Sequence, residues 1–221
     1  MAQTRPYQGS DRRPIASRDY AISKYLTKAL VRIGLSANAI STISVLFACA
    51  AGASLAWTGQ SDGLKAPYFV VAAVMILGRL LANMLDGMVA LESGTASPVG
   101  ELYNEIPCRI SDTIILVGTG YAMGGWIIMG YAAAIAAMLT AYVRAIGKAA
   151  GARQDFCGPM AKQQRMFTLI LASIWSAFAP ESLIPLGGAL GLVLALITIL
   201  SIVTAIRRIT RIATQLKGAA T

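Results

Sequence analysis

Asn83–Asp112 reads NMLDGMVALESGTASPVGELYNEIPCRISD and holds five of the chain's ten acidic residues, Asp86, Glu92, Glu101, Glu105 and Asp112. Apolar runs flank it on both sides. A carboxylate beside a membrane-crossing run is costly, so it usually faces an interior cavity and marks a site. Asn83 and Asp86, three apart, share one helical face, while Gly100, Asn104, Cys108 and Asp112 step by four along another. Between the two stripes, residues 92–98 are turn-like, with Ser97 placed as an N-cap and Pro98 at the first helical position. The pattern predicts two helices joined by a short loop, each turning a polar stripe toward the other. A solvated cytoplasmic loop would account for Glu92 and Glu101. It leaves Asp86 and Asp112 unexplained, since each sits against an apolar run.

Composition sets the frame for that site. Of 221 residues 56% are hydrophobic and only 13% charged, with a mean hydropathy of +0.63. A soluble domain of this length cannot hide so much apolar surface, so the expected fold is an all-α polytopic membrane helix bundle. The net charge is +9, and the basic residues sit at the ends of apolar runs. That placement points to membrane orientation and anionic lipid rather than to nucleic acid. Cys49, Cys108 and Cys157 lie too far apart to suggest a metal-ligand spacing, and histidine is absent, which removes histidine triads and histidine metal sites.

Taken in order, residues 1–16 read as a flexible tail with no cleavable signal expected, and 17–33 as a basic amphipathic helix. In that helix Ile22, Tyr25, Leu26, Ala29, Leu30 and Ile33 follow helical spacing, and Lys24, Lys28 and Arg32 step by four on another face. It either lies in the membrane interface or packs as an ordinary surface helix. Residues 34–221 then form the membrane domain, with spans expected at 39–57, 66–85, 98–123, 126–143, 160–179 and 184–206. Turns are expected at 61–63 and 180–182, a basic polar connection at 144–165 and a basic tail after 206. Arg79 falls inside the second span and needs a partner or a phosphate. Pro107 falls inside the third, where it removes a backbone donor and should kink the helix beside Asn104 and Cys108. Glu105 and Arg109 are spaced to pair. Gly120-x3-Gly124 and Gly187-x3-Gly191 permit close helix approach. Six transmembrane helices put both termini on one side; with that side cytoplasmic, Lys65 is the only basic residue outside.

The residues resemble a family. The signature of the CDP-alcohol phosphatidyltransferases is D-x2-D-G-x2-A-R-x8-G-x3-D-x3-D. Here the same spacing gives Asn83-x2-Asp86-Gly87-x2-Ala90-Leu91-x8-Gly100-x3-Asn104-x3-Cys108. Asp86, Gly87, Ala90 and Gly100 match; Asn83, Asn104 and Cys108 replace aspartates and Leu91 replaces arginine. LDGMVALE, Asn104-Glu105 and Arg109-x2-Asp112 are similar to a divergent branch with asparagines at the first and third positions, although an aspartate is expected where Cys108 stands. Ser36-Ala37-Asn38 resembles the family's proline-asparagine segment before its first span.

The resemblance implies a multi-pass enzyme of the cell inner membrane. It would move a phosphatidyl-type group from a CDP-linked lipid, usually CDP-diacylglycerol, to an alcohol acceptor, release CMP, and work as a homodimer. It places Mg2+ or Mn2+ at Asn83, Asp86, Asn104 and Cys108, and the general base at Cys108. Asp112 could replace Cys108 as base. Gly87, Ala90, Gly100 and Glu105 would border the nucleotide, and Arg109, Arg153, Lys162 and Arg165 the phosphate or acceptor. Oxygen donors on two converging helices suit a hard cation, and residues with little side chain let a phosphate approach the backbone. The departures weaken this set. A carboxylate ~4 Å from a divalent ion gains on the order of 8 kcal/mol at an effective dielectric near 20, and three such groups are missing. Cysteine is a poor magnesium ligand. Two other readings stand: a catalytically degenerate member that binds lipid or a partner, and a small transporter. A transporter should show inverted repeats, and the sequence has one polar cluster and no repeat.

Overall fold

The structure, a computed structural model, describes residues 16–60, 65–95, 97–179 and 188–218. Most of the expected tail, the turns at 61–63 and 180–182, and Gly187 lie outside the described residues.

A single 3-10 turn, Ala16–Asp19, precedes α1 (Ala21–Arg32), so the expected 17–33 helix is shorter than its periodicity suggests. There follow α2 (Ala37–Thr58), α3 (Lys65–Glu92), α4 (Pro98–Tyr121), α5 (Ile127–Ala149), α6 (Lys162–Phe178) and α7 (Ala189–Gly218). Capping explains two of the starts. Ser36 Oγ accepts the Ala39 N–H at 3.2 Å, and Ser97 Oγ accepts the Gly100 N–H at 3.0 Å. α4 runs through Pro107 as continuous helix.

Two boundaries correct the sequence reading. The connection expected at 144–165 shrinks to 150–161, because Arg144 and Lys148 extend α5 while Lys162 and Arg165 open α6. The expected basic tail is helical instead: α7 continues to Gly218, since no proline or glycine falls between Ile206 and Lys217. This carries Arg208 into the bundle, where it is buried and donates to the Thr140 carbonyl at 2.8 Å and the Cys157 carbonyl at 3.0 Å.

Among the described residues four helices, α2, α3, α5 and α7, are long and apolar enough to cross a membrane. The other two bundle helices differ for visible reasons: α4 carries Glu101, Glu105, Arg109 and Asp112, and α6 has 17 residues. The main packing partners form a ring, α2 on α3, α3 on α6, α6 on α7, α7 on α5, α5 on α4 and α4 on α2. Its core is aliphatic and small: Ala48, Ala51, Leu55, Ile76, Leu116, Leu169, Leu194 and Ile197 are all fully buried. Small residues let backbones touch, as a Cβ on Gly118 would stand 2.5 Å from the Gly52 carbonyl oxygen. One glycine of each spaced pair also packs, Gly120 against Gly130 and Gly191 against the Trp126 ring.

α1 packs on α3. It buries Ser23 and Thr27 and leaves Ile22 and Tyr25 outward, 67% and 72% exposed. Leu30 and Val31 pack inward, against the cluster of Ile40, Ala82 and Val89.

Candidate functional site

At one end of the ring, polar side chains of α3 reach α4. Asn83 Nδ2 donates to Cys108 Sγ at 2.7 Å, and Arg79 Nη2 donates to the Cys108 carbonyl at 3.1 Å and to Asp112 Oδ1 at 2.6 Å. The two polar stripes thus face each other. Above them opens a cavity of about 490 Å³. Its wall includes Asn83, Asp86, Gly87, Ala90, Gly100, Asn104 and Cys108, all seven positions of the motif apart from Leu91. Leu91 is half exposed and points elsewhere.

Asp86 is buried, and its two oxygens differ. Oδ2 accepts Ser41 Oγ at 2.8 Å, whereas no donor meets the buried Oδ1 in hydrogen-bond geometry, the Gly87 N–H and the Asn104 amide acting on the carboxylate from nearby. A buried, unsatisfied carboxylate oxygen is expensive unless a ligand or cation completes it. Asn104 stands beside this carboxylate as a further amide donor and acceptor. A Cβ on Gly100 would meet only Ser97 Oγ, at 3.3 Å, so that side of the wall is open to a bulky ligand.

Much of the remaining wall is cationic. Lys162 Nζ donates to Cys108 Sγ at 2.9 Å and also bonds Asn83 Oδ1. Glu105 accepts Arg109 Nε at 2.9 Å and pairs with Arg144 as well. The Arg144 guanidinium in turn lies 5.3 Å from the Phe156 ring centre. Arg18, Arg165 and Arg208 also reach the cavity wall.

Asp112 does not line the cavity. It lies beneath it, 2% exposed, with Arg79 at 2.6 Å, Arg165 at 3.4 Å and Arg109 at 3.9 Å. The structure thus ties Asp112 to three guanidiniums beneath the cavity, and it supplies the partner that Arg79 needs. Arg153 is exposed, and its backbone N–H bonds Gln215 at 3.2 Å; the structure does not bring it to the cavity. Gln154 and Phe156 of the same connection line it instead.

Sequence reasoning missed Ser41, Arg144, Phe156 and Arg208. Ser41 lies in an uncharged apolar helix and gives no signal. Arg208 was hidden by the assumption of a tail.

Among the described residues no three or more histidine, cysteine, aspartate or glutamate side chains gather to hold a metal ion. The donor set fits one hard cation, at the open Oδ1 of Asp86 with the Asn104 amide beside it. It does not fit two, because Asn83 and Cys108 are already engaged by an ammonium.

No family model matches this chain, and no curated protein sequence does. Solved structures do match. A Mycobacterium tuberculosis phosphatidylinositol phosphate synthase in complex with manganese and citrate shares 21% identity, with a TM-score of 0.70 over 87% of this chain and 89% of that one. The same enzyme with CDP-DAG bound gives 20% identity and a TM-score of 0.69 over 87% and 94%. Its apo form gives 20% and 0.68 over 86% and 95%. The bundle and its polar end therefore have the fold of a phosphatidylinositol phosphate synthase.

Proposed function

We propose that the chain is a membrane phosphotransferase of the CDP-alcohol phosphatidyltransferase family. It moves a phosphatidyl-type group from a CDP-linked lipid to an alcohol and releases CMP, in phospholipid synthesis. The observation that carries this reading is the unpartnered Asp86 oxygen in a cavity walled by the motif residues. The CDP-DAG and the manganese in the fold's solved relatives support it.

In this reading Gly87, Ala90 and Gly100 let the nucleotide and its diphosphate lie against the backbone. Asp86 and Asn104 hold one divalent ion, Mg2+ or Mn2+, which supplies charge neutralisation at the diphosphate when bound. Arg109, Arg144, Lys162 and Arg208 present donors to phosphate oxygens and to a polar acceptor. The acceptor hydroxyl oxygen forms a bond to the lipid-side phosphorus, the bond from that phosphorus to the CMP oxygen breaks, and the hydroxyl proton leaves to a base. Most of the rate gain comes from positioning and charge. Cys108 stands where the motif places that base, and its sulfur already accepts from Asn83 and Lys162. That occupancy favours slow turnover in this chain, and it is the one observation on the side of a catalytically degenerate lipid binder.

Asp86→Asn is expected to abolish divalent-dependent binding of CDP-diacylglycerol, a loss of ~10²-fold or more, as for truncating a buried charge contact. Equilibrium binding with Mn2+ and with a chelator checks it. Binding that survives unchanged would put the metal elsewhere.

The same reading has six spans, both termini cytoplasmic, and the site at the cytoplasmic face of the inner membrane. It rests on the basic residues, all but Lys65 at that face. With Cys49 and Cys157 replaced by serine, Gln60→Cys should react with an impermeant maleimide from outside. Lys217→Cys should react only after permeabilisation. The reverse result would overturn the site's placement.

A further inference from the structure

Lys162 is the first residue of α6, and its ammonium reaches across the bundle to α3 and α4 at once, bonding Asn83 Oδ1 and Cys108 Sγ. Those two residues hold the first and last aspartate positions of the motif. A carboxylate there would attract a divalent ion strongly; a neutral amide oxygen attracts it far less, and a thiol is a poor ligand for a hard cation. An ammonium already sits between them, and it would repel a second cation brought to the same place. It has three donors, two of which are used, and it lines the cavity. One turn from Asn83 on α3, the buried Asp86 Oδ1 has no hydrogen-bond partner. The site therefore has one place for a divalent ion and one fixed positive charge of its own.

We propose that Lys162 Nζ is a built-in cation of the diphosphate site, so that the chain binds a single divalent ion at Asp86 and takes one phosphoryl oxygen of the ligand on lysine. The proposal rests on the CDP-lipid reading above and deepens it. It assigns the neutral residues at the motif's first and last positions one consequence: a second divalent ion is not held there, and an ammonium from α6 stands in that place. The lysine also ties α6 to α3 and α4, so ligand charge drawn to it would brace three helices together.

The test uses the full chain in nanodiscs, with CDP-diacylglycerol as probe and Mn2+ counted by electron paramagnetic resonance. The wild type should hold one Mn2+ per chain with the lipid bound. Lys162→Met should bind CDP-diacylglycerol ~10²-fold more weakly at saturating Mn2+, while Lys162→Arg, which keeps the charge, should stay within about tenfold of wild type. Combining Lys162→Met with Asn83→Asp and Cys108→Asp should restore binding and raise the count to two. A wild-type count other than one, or a Lys162→Met chain that binds as tightly as wild type, overturns the proposal and leaves the CDP-lipid reading standing. A wild type that binds no CDP-diacylglycerol at all overturns both. Lys162→Arg guards against misfolding: weak binding by both variants, with intact thermal unfolding in the arginine form, also counts against a charge role.

Discussion

Replacing Asp112 by alanine is expected to destabilise the bundle by about 3–5 kcal/mol, the scale for breaking a buried ion pair from one side. Arg79 and Arg165 are fully buried, and Asp112 is the carboxylate that meets both. Arg79 has little else. Its Nε and Nη1 have no hydrogen-bond partner, and its Nη2 is shared between Asp112 and the Cys108 carbonyl. Without the carboxylate, two guanidiniums are left in a low-dielectric interior, where the penalty for unpaired charge is largest. Unfolding of the purified protein in mild detergent, followed by tryptophan fluorescence, measures this. Arg79→Met combined with Asp112→Leu should recover part of the loss, because an apolar pair of similar volume replaces the ion pair. An Asp112→Ala chain as stable as wild type but inactive would return Asp112 to the role of base.

The second large effect concerns Cys108. Cys108→Asp is expected to raise turnover by ~10²-fold or more, the usual scale for general-base catalysis. An aspartate is ionised at neutral pH, with an unperturbed pKa of about 3.9, and offers hard oxygen to a proton or a cation. At this position it would also accept from Asn83 and Lys162, whose donors now end on sulfur. CMP release by the two proteins under matched Mg2+ is the comparison. Equal rates would mean that a carboxylate already lining the cavity, Glu105 or Asp86, is the working base.

The site was legible in the sequence where charge broke an apolar run at helical spacing. Asn83 and Asp86 on one helix, and Gly100, Asn104 and Cys108 on the next, do line one cavity, and Ser97 does cap α4. Arg79 was visible too, as a charge inside a span, and its place four residues before Asn83 already puts it on the same face. Three features were not legible. Lys162 is distant in sequence from Asn83, and nothing in periodicity says that α6 begins beside α3. Asp112 lies on the same stripe as Cys108, yet one turn deeper the cavity has closed and arginines surround it. Arg208 lay beyond the last apolar run, and charge density alone does not tell a solvated tail from a helix that returns an arginine to the core.

The most direct test of the transferase reading is release of radiolabelled CMP from CDP-diacylglycerol by the Cys108→Asp chain, with and without added alcohols, under Mg2+ or Mn2+. The account predicts release that requires both a divalent ion and an alcohol, with label from the alcohol appearing in lipid. CDP-diacylglycerol that stays bound and intact with every glycerol-, inositol- and phosphorylated-alcohol acceptor offered would contradict it.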